Sequence, residues 1–149
     1  MSDDESSYPP ELDAAKEFIE IETFEQILEM DDDDEDREFS TALVAGFFEQ
    51  AEATFTSMDE ALVKEDLPQL SSLGHFLKGS SATLGIIKVR DRCEKIQHWG
   101  ALKDEAGNIE IKKEEALKHI STTIPKMKEE YKIAKIWLGK YLNIYDNPE

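Results

Sequence analysis

Apolar residues recur at intervals of three and four along most of this chain, and that rhythm predicts helices. The clearest run is Phe39, Leu43, Phe47, Ala51, Phe55, Met58 and Leu62, one face of a long helix over 39–62. Val44 and Phe48 lie off that face and are expected to meet another helix. Asp66-Leu67-Pro68 restarts the chain, because Asp66 can cap and Pro68 suits a first helical turn. The following helix carries Leu70, Leu73, Leu77 and Leu84 inward and ends at Gly85. Residues 86–99 repeat the pattern through Val89, Cys93 and Ile96, and Ala106-Gly107-Asn108 signals a turn. The last segment sets Leu117, Ile120, Ile124, Met127, Tyr131, Ala134, Leu138 and Tyr141 on one seam. Pro125 is expected to kink or break it near 121–124. Upstream, residues 12–19 predict a short helix, and residues 23–30 a second one, amphipathic through Phe24, Ile27 and Leu28. No segment sustains a period of two. The pattern predicts an all-α protein, an antiparallel up-down-up-down four-helix bundle with one or two short N-terminal helices.

Charge refines this picture. The chain has 149 residues, enough for one domain, with 34 acidic against 17 basic residues and a formal net charge of −17. Residues 1–38 hold 17 of the acids and 2 bases, so a strongly acidic front precedes a nearly neutral body. A broad basic face for nucleic acid is excluded. The apolar runs are too short for a membrane helix, and no signal segment opens the chain. Cys93 is the only cysteine, so neither an intrachain disulfide nor a cysteine-rich zinc site can form. A protein of the cell interior is expected, with residues 1–10 as a disordered acidic tail and 11–149 as one domain, its motif core about 39–142. The acidic run 31–36 fails as a calcium loop in every frame, lacking glycine at the sixth position and glutamate at the twelfth. It reads either as an acidic helix start or as an electrostatic rim for a partner.

Three histidines could carry chemistry. His98 and His119 each follow a glutamate by four positions, which matches neither the Glu-x-x-His of di-iron bundles nor the His-Glu-x-x-His of zinc proteases. No metal site is expected. His75 differs, because it lies about 200° from Leu73 and Leu77 around its helix and so points away from the core stripe. Lys78 and Gly79 stand three and four residues on, within reach on the same face. An imidazole nitrogen is a competent nucleophile near neutral pH. A phosphoryl group on it would carry about two negative charges, for which Lys78 supplies a mobile cation. Gly79 costs a helix interior about 0.8–1 kcal/mol against alanine, a cost that clearance beside His75 would offset. Taken alone, the trio is equally compatible with an exposed histidine beside a chance Lys-Gly.

The longer string decides between these readings. His75-Phe76-Leu77-Lys78-Gly79-Ser80-Ser81-Ala82-Thr83-Leu84-Gly85 resembles the signature of histidine phosphotransfer (HPt) domains. With Leu73-Gly74 before it, Cys93-Glu94-Lys95-Ile96-Gln97 after it, and Ile27 to Asp34 upstream, it is similar to the fungal phosphorelay intermediates of osmotic stress signalling. The resemblance runs from about Phe24 to about Gln97. It implies a four-helix bundle whose exposed His75 accepts a phosphoryl group from an aspartate in the receiver domain of a hybrid sensor kinase. His75 would then pass it to an aspartate of a response-regulator receiver. It implies a phosphocarrier without ATP-dependent kinase activity, acting in cytoplasm and nucleus. No cofactor of its own is implied, the magnesium belonging to the partner receiver. Gln97 corresponds to a family glutamine that hydrogen-bonds the imidazole, and Ser80 joins Lys78 and Gly79 as support. Phe24, Ile27, Met30 and Phe76 would form an apolar docking patch beside Asp31 and the acids after it. For Phe24 and Ile27, ordinary packing onto the bundle is the competing reading. Some fungal members carry a further basic residue after the glutamine block, and here Lys103 is the nearest candidate.

Two other classes stay in view. A non-catalytic helical adaptor would tolerate loss of His75, and a metal-dependent enzyme would need inward clusters of Glu and His where the seams are apolar. A monomer suffices for the relay reading, with no nucleic acid and no membrane among its partners.

Overall fold

A computed structural model describes residues 14–31 and 37–144. The expected tail over 1–10 and the acids at 32–36 lie outside the described residues. Five helices follow in order: α1 (Ile21–Leu28), α2 (Glu38–Val63), α3 (Leu67–Leu84), α4 (Ile87–Gly100) and α5 (Lys113–Tyr141). Helices α2 to α5 pack as a four-helix bundle, each neighbour in sequence also a neighbour in space, with α5 returning against α2. The described residues contain no strand, only isolated bridges at Ile19–Ile86 and Lys103–Glu110.

The sequence explains the helix ends. Asp66 accepts a hydrogen bond from the Gln69 backbone N–H at 3.2 Å and so caps α3, with Pro68 in its first turn. Gly85 ends α3 in the left-handed region (φ 76°), and the Ile86 N–H donates back to Ser81 O at 2.9 Å. Gly85 is fixed twice over, since a Cβ there would also lie 2.8 Å from Glu20 O. Helices α3 and α4 make the closest approach in the bundle. At Gly74 a Cβ would lie 2.8 Å from Cys93 O, and at Gly100 2.7 Å from Ser71 N, so both glycines are packing requirements.

The core follows the predicted seams, with Val44, Phe47, Phe48, Ala51, Phe55 and Met58 of α2 buried against Ile120, Ile124, Met127, Tyr131 and Leu138 of α5. Val44 and Phe48 are thus part of the core. Several expectations need correction. Phe39 begins the periodic face of α2 yet is exposed, because Ser40 is the buried residue of that turn. Leu73 is only half buried. Residues 14–18 form a turn in place of the expected short helix. Ile19 N–H donates to Ala15 O, but Glu20 N–H donates to Gly85 O and Phe18 O accepts from Ile87 N–H, so the backbone here pairs across the chain. Helix α1 starts and ends two residues earlier than expected. Pro125 does not break α5, which runs unbroken for 29 residues.

Candidate functional site

His75 sits mid-way along α3, exposed on the outer face between α2 and α4. Around that face, Lys78 and Gly79 follow one turn on, and Ser71 and Ser72 lie one turn back. No carboxylate of the described residues pairs with Lys78, whereas several basic side chains on α4 and α5 are engaged. Lys95 faces Glu105, Lys128 faces Asp59 and Lys135 faces Glu52. A cation without a carboxylate partner beside an exposed imidazole is what an incoming phosphoryl group requires. At about 4 Å such a pair contributes about 1 kcal/mol in water and about 4 kcal/mol near a protein surface.

Apart from its chain neighbours and its own helix backbone, Gly79 has no atom of the described residues within 4 Å of the position its Cβ would take. Unlike Gly74 and Gly100, it is not required by any contact among the described residues. The missing side chain leaves the surface beside His75 bare.

Gln97 of α4 and His75 line the same groove, which has a volume of about 730 Å³. The expected hydrogen bond between them is absent, as Gln97 Oε1 is buried and accepts none. The Gln97 backbone carbonyl instead accepts from Ser71 Oγ at 2.8 Å, tying α4 to α3 directly behind the histidine. Ser80 is also turned elsewhere. Its hydroxyl donates to Gln50 Oε1 of α2 at 3.0 Å, because it lies on the α2 side of its helix rather than over His75. Lys103 faces Glu110 at 3.8 Å across the small bridge that closes the α4–α5 loop.

The docking patch divides. Met30 (64% exposed) and Phe76 (48% exposed) present apolar surface. Phe24 is fully buried and Ile27 nearly so, which corrects their assignment as docking residues. Phe24 packs edge-on against Trp137 and Tyr141 of α5, at ring-centroid distances of 6.0 and 5.8 Å. Helix α1 therefore spends its apolar face on closing one end of the bundle. Asp31 is corrected likewise. Its side chain is fully buried, with Oδ1 accepting from Ser40 N–H (2.9 Å) and Oδ2 from Ser40 Oγ (2.7 Å). It supplies the N-terminal cap that Arg37, at the cap position itself, does not.

His98, His119, Arg92 and Glu130 have structural partners. His98 Nδ1 lies 2.7 Å from Glu105 O and holds the α4–α5 loop, while His119 stacks on Trp99 at 4.9 Å. Arg92 donates twice to Glu130, and those hydrogen bonds hold the Glu130 carboxyl below its usual range. Burial pushes the Cys93 thiol up to about 12, against a small opposing pull from Lys78. One surrounding of His75 escaped the sequence reading: Ser71, whose signal was its place four residues before His75.

Comparison with known proteins agrees with this geometry. The family model described as the Hpt domain matches residues 42–130. The chain is 47% identical over 133 residues to multistep phosphorelay regulator 1 of Schizosaccharomyces pombe, covering 89% of this chain and 45% of that protein. It is 46% identical over 85 residues to the phosphorelay intermediate protein YPD1 of Saccharomyces cerevisiae, covering 56% and 50%. This chain thus spans about half the length of the curated relatives it matches. Among solved structures it is similar to the histidine phosphotransfer signalling protein Ypd1 of S. cerevisiae, co-crystallised with the receiver domain of its downstream response regulator Ssk1. That likeness has a TM-score of 0.72 at 36% identity, over 85% of this chain and 95% of that one. With an exposed histidine on a four-helix bundle and the family model matched through α2 to α5, this chain belongs to the Hpt domain family.

Proposed function

We propose that this protein is a phosphorelay intermediate whose His75 accepts a phosphoryl group from a receiver-domain aspartate of a hybrid sensor kinase. It passes the group to the aspartate of a response-regulator receiver. The observation that carries this reading is the exposed His75, with no carboxylate of the described residues on Lys78 and bare surface at Gly79. In the forward step an imidazole nitrogen attacks phosphorus in line. The P–N bond forms as the acyl phosphate P–O bond breaks, the aspartate leaves as carboxylate, and the second ring nitrogen releases its proton to solvent. The return step is the reverse, on a different aspartate. Positioning and charge neutralisation dominate such a loose transition state. Lys78 supplies charge, and Gly79 lets the receiver approach. Gln97 lines the same groove as His75, and its unfilled acceptor supports a role in orienting the ring.

Magnesium is part of the same proposal only on the receiver's side. The carrier has no phosphoryl donor site for ATP in this reading, so ATP alone should leave it unlabelled. Met30 and Phe76 supply the apolar contact to receivers, and the protein acts as a monomer in cytoplasm and nucleus. Among the described residues no helix is long and apolar enough to cross a membrane. The test is transfer of label from a receiver phosphorylated on aspartate. Wild type should acquire label that survives alkali and is lost in acid, and His75→Gln should acquire none. An unlabelled wild type that still binds receivers would favour the adaptor reading.

A further inference from the structure

Two isoleucines stand exposed on the outer face of α5. Ile133 and Ile136 lie one turn apart, each 51% exposed. At about 100° per residue, Lys126, Glu129, Lys132 and Lys140 share their face within about 120° of arc, on a stripe about 21 Å long. The lysines of α5 divide by direction. Lys128 and Lys135 turn to α2, where they pair with Asp59 and Glu52 at 2.7 and 2.6 Å. Lys126, Lys132 and Lys140 are exposed and have no carboxylate partner among the described residues. Lys88, at the start of α4, adds a cation on the α4 side of this face, where it and Lys126 help to lower the Glu130 carboxyl. Four lysines thus border the face against Glu129, since Glu130 is held by Arg92. The excess is local, because residues 39–149 as a whole hold 17 acids and 15 bases. Helix α5 packs on α4 and α2, which places it diagonally across the bundle from α3 and His75.

We infer that the outer face of α5 is a docking surface for an acidic amphipathic helix of a partner protein, distinct from the receiver that meets His75. The apolar stripe of that helix covers Ile133 and Ile136, and carboxylates on its borders meet the lysines around them. A second copy of this chain fits less well, since it would set a net positive face against itself. One helix laid on one helix face belongs to the small class of interfaces, below about 1,200 Å², so the complex is transient and weakened by salt. Resting on the relay reading of His75, a further consequence follows. The occupant leaves the imidazole open, so the carrier is held by this partner while receivers exchange the phosphoryl group on the other side of the bundle.

The test is amide and methyl NMR of the whole chain titrated with a synthetic capped peptide of about 15 residues, with leucines at helical spacing on one face and glutamates on both borders. Saturable shifts are expected at Ile133, Ile136 and Lys140, with a dissociation constant on the order of 0.1 mM. The same peptide with lysine in place of glutamate should not bind. Ile133→Ser with Ile136→Ser, and separately Lys132→Glu with Lys140→Glu, should each weaken binding about tenfold or more. All four positions are exposed, so circular dichroism should show both variants folded. In receiver-to-His75 transfer, the peptide-saturated chain should keep the rate of the free chain. Absence of saturable shifts to about 1 mM peptide, equal binding of the lysine peptide, or shifts unchanged in both variants overturns the site. Shifts at the same residues on concentrating the chain without peptide assign the face to a second copy. Shifts there in a free Asp3→Asn, Asp4→Asn, Glu5→Gln variant assign it to this chain's own acids, and tighter binding of phosphatidylserine vesicles assigns it to a membrane surface. Each of these three overturns the helical partner. Peptide binding that slows transfer overturns the independence from His75. The NMR readout needs no transfer, so failure of the relay reading would show separately, as no label on His75 without peptide.

Discussion

Gly79 separates the needs of the fold from the needs of the partner. Outside its own helix backbone and chain neighbours, no atom of the described residues lies within 4 Å of the Cβ that an alanine would add there, so Gly79→Ala meets no steric obstacle among them. Alanine restores about 0.8–1 kcal/mol of helix propensity that glycine forfeits in a helix interior. For a chain of this size that should raise the melting temperature by about 2–4 °C. Gly79→Gln should also stabilise, by a smaller amount, since glutamine is a better helix former than glycine. Transfer should move the other way. A side chain at this position stands one turn from His75, where, under the proposed relay, the receiver must come within near-attack distance of the imidazole. A misplacement of about 1 Å can cost about 100-fold in rate, which sets the expectation for the glutamine variant, with alanine in between. The assays are thermal melting by circular dichroism and single-turnover transfer from a labelled receiver. A melting temperature that falls in both variants would refute the claim that the molecule itself has no use for this glycine. An unchanged transfer rate in Gly79→Gln would sink the clearance argument.

The remaining predictions concern the scaffold. Asp31→Ala leaves the buried Ser40 N–H and hydroxyl without their carboxylate. It should cost about 1–3 kcal/mol in urea unfolding, and a change below about 0.5 kcal/mol would contradict its capping role. The Glu130 carboxyl titrates below its ordinary value because Arg92 hydrogen-bonds its charged form. Its stabilisation is therefore present above the unfolded value near 4.5 and is lost as pH falls through the lower folded value. Glu130→Gln should accordingly destabilise at neutral pH and match wild type in strong acid, as read by unfolding across that range. A difference that persists unchanged into acid would refute it. Cys93, buried with its thiol raised to about 12, should resist iodoacetamide at pH 8 unless the protein is unfolded. Rapid labelling of the native protein would contradict the packing of α4 on α5.

The four long helices were legible because their apolar spacing runs over many turns and their ends carry local signals, Asp66 with Pro68 and then Gly85. His75, Lys78 and Gly79 were legible for a related reason, since one helix fixes their angles without any knowledge of the rest. What escaped depends on partners far away in the chain. The stripe of Phe24 and Ile27 announces an apolar face but not what covers it, and Trp137 and Tyr141 lie at the other end of the sequence. Asp31 reads as one acid in a run until Ser40 is seen bonded to it. Residues 12–19 have a helical pattern too short to compete with backbone pairing to Gly85 and Ile87. Pro125 shows the converse, a strong local breaker overridden by a seam that packs on both sides of it.

The central claim is that His75 carries the phosphoryl group between receivers. The most direct measurement follows label from an aspartate-phosphorylated receiver onto this chain, beside a His75→Gln variant shown by circular dichroism to fold and by titration to bind the receiver. The relay account predicts acid-labile, alkali-stable label on the wild type, none on the variant, and onward loss of label when a second receiver is added. Label on both proteins, or on neither while both bind, would contradict it.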